Sequence, residues 1–196
     1  DIPRELKKSG LVVVSPNYRL IPKADIAECI DDAAAAVAWT FKNIEKYGGD
    51  PSKIFVSGHS AGGYLTSMIG LERKWLANYG IEADSIAGLI PFSGQVITHF
   101  ARRNLQGISP IQPTIDEFAP MSHIRKDAPP YVIITGDAET ELYGRYEENL
   151  YMRRLMLLAG HPYVKIYKLD GFDHGAMASP AHHILKDEIH AILENK

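Results

Sequence analysis

Apolar and polar positions alternate in blocks along this chain, and the blocks read as strands and helices in turn. Leu11-Val12-Val13-Val14 is an unbroken apolar run between Ser9-Gly10 and Ser15-Pro16-Asn17, as expected of a strand buried on both faces. A helix is predicted from Asp31 through Tyr47, with Ala35, Ala38, Trp39 and Ile44 near helical spacing and Gly48-Gly49-Asp50-Pro51 as its stop. Lys53–Ser57 is the next strand, followed by a glycine-rich turn and a helix over about Tyr64–Tyr79. Strands are then predicted at Ser85–Phe92, Tyr131–Gly136 and Tyr163–Leu169, and helices at about Gly144–Leu158 and Ala181–Leu193. Alternation of this kind implies α/β architecture: a mostly parallel sheet with helices on both faces. The exception is 94–130, which holds Pro110, Pro113, Pro120, Pro129 and Pro130 without a clear period. A stretch this long is either a cap-like insertion that shapes a pocket or a peripheral loop with a short helix.

Composition narrows the class. At 196 residues the chain is expected to form one domain over 1–196. Hydrophobic residues at 45% and charged residues at 23% are ordinary globular values, which argues against intrinsic disorder. Lys+Arg 21 against Asp+Glu 24 leaves a net charge of −3, no electrostatic footprint for nucleic acid or an anionic membrane. No apolar run approaches the roughly 20 residues of a membrane span. Cys29 is the sole cysteine and excludes an internal disulfide, but it does not identify a compartment.

Gly58-His59-Ser60-Ala61-Gly62 fits G-x-S-x-G and lies between a buried-type strand and a helix. The pattern implies a strand-to-helix turn too sharp for side chains at the flanking positions, with the serine hydroxyl exposed at the carboxyl edge of the sheet. The helix that follows aims its free N–H groups at the same spot, so Ala61 N–H is the expected oxyanion donor. Gly63 stands where helix and strand must pack closely. A serine hydroxyl needs a base. Of eight histidines, His174 in Gly171-Phe172-Asp173-His174-Gly175 follows the last strand, at the edge where Ser60 is expected. His182, His183 and His190 read as a solvated helix surface rather than a metal site, and His59 as a local packing residue. The acid that orients the imidazole should follow the preceding strand, where Asp137, Glu139 and Glu141 compete and spacing does not separate them. The order Ser, acid, His is that of the α/β-hydrolases.

The chain resembles the esterase/lipase group of α/β-hydrolases that includes hormone-sensitive-lipase-like carboxylesterases. Val12 to Leu20, with its Tyr18-Arg19-Leu20, carries the likeness, as do Asp31-Asp32-Ala33 through Trp39 to Gly49-Asp50-Pro51, the Gly58–Gly63 turn and the Gly171–Gly175 loop. The resemblance places the acid three residues after the strand's closing glycine, on Glu139, with Asp137 as runner-up. It also implies a His-Gly-Gly-type loop before Leu11 that is not present here. Asp1 to Gly10 reads instead as the end of a helix, and the chain is expected to be a fragment lacking the family's N-terminal strands.

The implied activity is that of a serine carboxylesterase acting on small esters with short acyl chains, since no long apolar lid is evident. Its catalytic residues would be Ser60, Glu139 and His174, with no metal and no cofactor. A peptidase, an aryl-formamidase, a polysaccharide deacetylase or a feruloyl esterase would use the same machinery. A binding protein or truncated pseudoenzyme on a hydrolase scaffold is the alternative from another class. Phe100, Arg102, Arg103, Phe118 and Met121 are candidate pocket residues within the long loop. Oligomeric state, compartment and natural substrate are not legible.

Overall fold

The computed structural model describes residue 6 and residues 8–194. Helix α1 (Ile26–Asn43) starts five residues before its expected beginning, because Asp25 and Glu28 form a capping box. The Asp25 carboxylate accepts from Glu28 N, and Glu28 in turn accepts from Asp25 N, both at 2.8 Å. The helix passes into a short 3₁₀ turn, Ile44–Tyr47, and stops at Gly48 (φ 80°). Strand β1 (Phe55–His59) leads through Ser60 into α2 (Ala61–Leu71), and a short helix α3 (Lys74–Ala77) completes what the sequence suggested as one longer helix. Then come β2 (Gly88–Phe92), α4 (Phe100–Leu105), β3 (Tyr131–Thr135), α5 (Arg145–Leu158), β4 (Val164–Lys168) and α6 (Ala178–Glu194).

The four strands form one parallel sheet in the order β1-β2-β3-β4. Period-two alternation divides the buried side chains between two cores. Leu89, Tyr131 and Ile133 face a core built with α1, α2, α3 and α5. Ile90, Phe92, Val132 and Ile134 face a second core, closed by Met177, Ala181, Leu185, Ile189 and Ile192 of α6 and the segment leading into it. Parallel order brings the carboxyl ends of all four strands, and the loops that leave them, to one rim.

One expected strand is not formed. Leu11–Val14 is not a strand of this sheet. Leu11 and Val13 pack toward the α6 core, while Val12 and Val14 are 47% and 40% exposed. An apolar groove of about 640 Å³ separates this segment from β1, floored by residues of α1, β1 and α6. The run was read as buried on both faces, but among the described residues no backbone pairs with it and only alternate side chains reach a core. Arg19 holds the end of the segment on α1 through a two-pronged pair with Asp32, Nη2 to Oδ1 at 2.8 Å and Nε to Oδ2 at 2.9 Å. The expected helix over Asp1–Gly10 falls largely outside the described residues; Leu6 is helical and buried.

Residues 94–130 contain α4 and a 3₁₀ turn, Pro120–His123, and otherwise run irregularly. Their organiser is Arg103, 2% exposed. Its Nε donates to Thr98 O at 2.9 Å, and its Nη1 to Pro110 O at 2.9 Å and Gln112 O at 2.7 Å. One guanidinium thus satisfies carbonyls that a ladder would otherwise pair. Arg102 is held by Asp116 at 3.0 Å and lies over the Phe118 ring. Met121 is buried, and of the five candidate pocket residues only Phe100 is largely exposed.

Candidate active site

The turn after β1 has the strain its sequence implied. Ser60 has φ 55° and ψ −112°, a left-handed value that side chains rarely adopt, and it is the N-cap of α2. Ser60 N donates to Phe92 O at 2.8 Å, which ties the turn to the end of β2. A Cβ on Gly58 would lie 2.6 Å from the Gly62 carbonyl carbon, so glycine is required there. The requirement is one-sided, because a Cβ on Gly62 would meet nothing within 4 Å. Gly63 fits its expected role: a Cβ there would lie 2.8 Å from Phe92 O and 2.9 Å from Gly94 Cα. Ala61 is the first residue of α2, so its N–H belongs to the helix end and has no partner within the helix.

His174 lies in the loop between β4 and α6 with Nε2 2.8 Å from Ser60 Oγ. Its other nitrogen, Nδ1, is 2.9 Å from Glu141 Oε2. A carboxylate only accepts, so Nδ1 carries the proton and Nε2 presents its lone pair to the serine hydroxyl. Ser60, His174 and Glu141 therefore form a continuous line of hydrogen bonds. The ring is also fixed from its backbone: His59 Nε2–H donates to His174 O at 2.7 Å, with the two rings 4.7 Å apart. Burial lowers the His59 pKa, which favours the neutral imidazole. His59, read from sequence as a local packing residue, braces a loop 115 residues away.

The acid beside His174 is Glu141 and not Glu139, and the turn explains why. After Gly136 the chain makes a single helical turn, with Thr140 N and Glu141 N both donating to Asp137 O at 3.1 and 2.9 Å. At about 100° per residue, position 141 returns to the side of position 137, whereas 139 points the opposite way. Glu139 is exposed, and its backbone N–H donates to Asp137 Oδ1 at 3.0 Å. Asp137 is a splint between loops: its Oδ2 accepts from Gly171 N at 2.7 Å and its N–H donates to Phe172 O at 2.8 Å. That donation from Gly171 holds the Asp137 carboxyl below its ordinary pKa. A Cβ on Gly136 would lie 2.5 Å from Phe172 O and 3.1 Å from Glu141 Oε1, so this glycine lets the acid and the histidine loop meet. The missed signal was Asp137 itself, a helix-capping residue that sets a turn and so favours position 141 over 139.

The Glu141 side chain is 1% exposed. Burial alone would raise its pKa, but hydrogen bonds from His174, Ser93 Oγ and Gly136 N outweigh burial and hold the carboxyl at about 2. Gly136 N donates to Oε1 at 2.9 Å and Ser93 Oγ at 2.6 Å. Beneath this group lies a buried ion pair, Arg145 with Glu148, Nε to Oε1 at 2.9 Å. Burial raises Glu148 to about 7, and Arg145 also donates to Ser93 O.

Among the described residues no three of His, Cys, Asp and Glu are grouped to hold a metal ion. His182 is buried against the Phe92 ring rather than solvated, a departure from its expected place on an outer helix face. Among the described residues no helix is long and apolar enough to cross a membrane.

Residues 1–150 match the BD-FAE family. The chain is 30% identical over 151 residues to the probable carboxylic ester hydrolase LipM of Mycobacterium tuberculosis, covering 67% of this chain and 34% of that protein. It is 27% identical over 140 residues to the probable isoprenylcysteine alpha-carbonyl methylesterase ICMEL1 of Oryza sativa, covering 64% and 33%. The chain thus spans about a third of the length of these relatives. Among solved structures, a truncated carbohydrate esterase from gut microbiota superposes with TM-score 0.77 at 18% identity, covering 96% of this chain and 76% of that one. Thermogutta terrifontis esterase 2 phosphorylated by paraoxon gives 0.65 at 26% identity, covering 81% and 58%. The α/β-hydrolase fold, read from sequence, is what these structures share with the chain.

Proposed function

We propose that this chain, which belongs to the BD-FAE family, is the catalytic part of a carboxylesterase that works through an acyl-enzyme on Ser60. The observation that carries the reading is the unbroken line from Ser60 Oγ through the His174 ring to Glu141, with 2.8 and 2.9 Å contacts. Relatives named as ester hydrolases support it, as does a structural neighbour that paraoxon phosphorylates.

Ser60 Oγ attacks the ester carbonyl carbon while its proton passes to His174 Nε2. The imidazolium that forms is stabilised by Glu141, which stays ionised because its carboxyl is held at about 2. The tetrahedral oxyanion lies at the start of α2, where Ala61 N–H donates to it and the helix dipole favours negative charge. The C–O bond to the alcohol then breaks, His174 returns the proton to the departing oxygen, and an acyl-Ser60 ester remains. Water, deprotonated by His174, hydrolyses that ester by the same path and restores Ser60. The cycle as written uses only side chains, a backbone N–H and water.

The substrates are small esters with short acyl chains. Tyr64, one helical turn beyond Ser60, is fixed by its hydroxyl bond to Phe118 O at 2.8 Å and by the His99 ring. In this reading residues 94–130, tied to α2 through Tyr64, act as a cap-like insertion. A fluorophosphonate probe is expected to label the wild-type chain at Ser60, and Ser60→Ala is expected to abolish both labelling and p-nitrophenyl acetate hydrolysis. Full turnover by Ser60→Ala would remove the mechanism. An unlabelled wild type would favour a binding protein on this scaffold, and faster turnover of long-chain than acetyl esters would contradict the substrate class.

A further inference from the structure

Ser93 follows β2 directly, is wholly buried, and has φ 45°, a left-handed value that favours glycine. Its backbone is pinned from both sides. Ser93 N donates to Ile134 O at 2.7 Å, Ser93 O accepts from Arg145 Nη1, and the next carbonyl, Gly94 O, accepts from Asn149 Nδ2 at 2.9 Å. Such over-determination is what a strained residue needs in order to persist. Glycine would take this backbone with less strain, so the side chain carries a benefit that offsets the strain. Its Oγ reaches two groups, Glu141 Oε1 at 2.6 Å and His174 Nδ1 at 3.0 Å. A serine has one hydroxyl proton, and it goes to the carboxylate. A lone pair of the same oxygen faces the Nδ1–H that also points at Glu141 Oε2.

We infer that Ser93 is a positioning residue for hydrolysis: its hydroxyl clamps the far oxygen of Glu141 and shares the Nδ1 proton of His174, fixing the imidazole plane toward Ser60. The inference rests on the ester-hydrolase reading above. Gly136 N holds the same carboxylate oxygen from the other side at 2.9 Å. With one of the two donors on Oε1 removed, the carboxylate can swing about its last torsion and the imidazole follows it. Ser93 touches neither the serine hydroxyl nor the reacting carbon, so its loss acts on kcat through geometry.

The test uses Ser93→Ala, which removes the hydroxyl, and Ser93→Gly, which removes the hydroxyl and relieves the backbone. A hydrogen bond to a charged group of this kind predicts a fall in kcat of about ten- to a hundredfold for both variants, with KM for p-nitrophenyl acetate within about twofold of wild type. Wild-type kcat in Ser93→Ala, or recovery of kcat in Ser93→Gly, would overturn the inference by assigning Ser93 to the backbone alone. A second readout needs no turnover: the low-field proton resonance of His174 Nδ1–H, followed by NMR in a Ser60→Ala background. It is expected to move upfield and exchange faster when Ser93→Ala is added, and an unmoved resonance would also overturn the inference. Full turnover by Ser60→Ala alone would sink the parent mechanism instead, and the NMR measurement would still decide whether the hydroxyl holds the imidazole.

Discussion

Two irregular regions stand side by side in this molecule, and they are held together in opposite ways. The rim loops around Ser60, 136–141 and 171–175 are fixed by bonds from distant parts of the chain: His59 to His174 O, Gly171 N to Asp137, Ser93 to Glu141. The excursion over 94–130 is organised largely from within, by Arg103 on the carbonyls of Thr98, Pro110 and Gln112 and by Asp116 on Thr98 and Arg102. The first arrangement fixes atoms relative to the sheet; the second stabilises a loop that needs only to be present. Substitutions in the rim should therefore cost turnover ahead of stability, and substitutions in the excursion the reverse.

The largest effect is expected at the acid. Glu141→Ala leaves Nδ1–H of His174 without its carboxylate, and by analogy with loss of a triad acid kcat should fall by roughly 10³–10⁴. Glu139→Ala should stay within about twofold, because that side chain is exposed. The two positions lie two residues apart on opposite sides of the turn, so kcat measured on both decides the assignment. A large loss at Glu139 with little at Glu141 would reverse it. The opposite half of the comparison is Arg103→Met, which fills a similar volume but leaves buried carbonyls unpaired. It should cost about 3 kcal/mol of unfolding free energy. For a small ester, kcat measured well below the melting transition should change less than about threefold. Equal stability, or a collapse of kcat in a folded protein, would break the contrast.

How much of this could be read from sequence follows the same division. Strand-helix alternation fixed the sheet because β2 and β3 are apolar at consecutive positions and bury both faces. Ser60, the residue after β1, and His174, in the loop that leaves β4, could be assigned to one rim from sequence because loops after parallel strands share an edge. Glu141 was not, since its selection depends on a turn set by Asp137 and on Gly136 clearing space for a second loop. Ser93 carries no motif; a serine after an apolar strand becomes informative only when its φ and its two partners are seen. The Leu11–Val14 run misled for a related reason: hydrophobicity marks a strand's capacity to be buried, while a ladder also needs a neighbour at hydrogen-bonding distance.

A further effect, spread over a range of pH, separates the two regions. His99 caps α4 with Nδ1 accepting from Ala101 N at 3.3 Å, its ring between Tyr64 and Phe100 with centroids 4.8 and 4.6 Å away. Burial, reinforced by the cations Arg145 and Arg103, lowers its pKa to about 4. An unfolded histidine titrates near 6.5, so between roughly pH 6.5 and 4 the unfolded chain binds a proton that the folded chain refuses. Stability from this group is present above about 6.5 and is lost as pH falls through 4, a change of about 3 kcal/mol. Glu141 loses its contribution only below the ordinary carboxyl range, as pH falls toward 2, so the rim should hold its charge while the excursion weakens. Urea unfolding of wild type and His99→Asn, which keeps a capping oxygen but does not titrate, should give curves of stability against pH that converge as pH drops from 6.5 to 4. Parallel curves would place the acid sensitivity elsewhere and return His99 to an ordinary packing role.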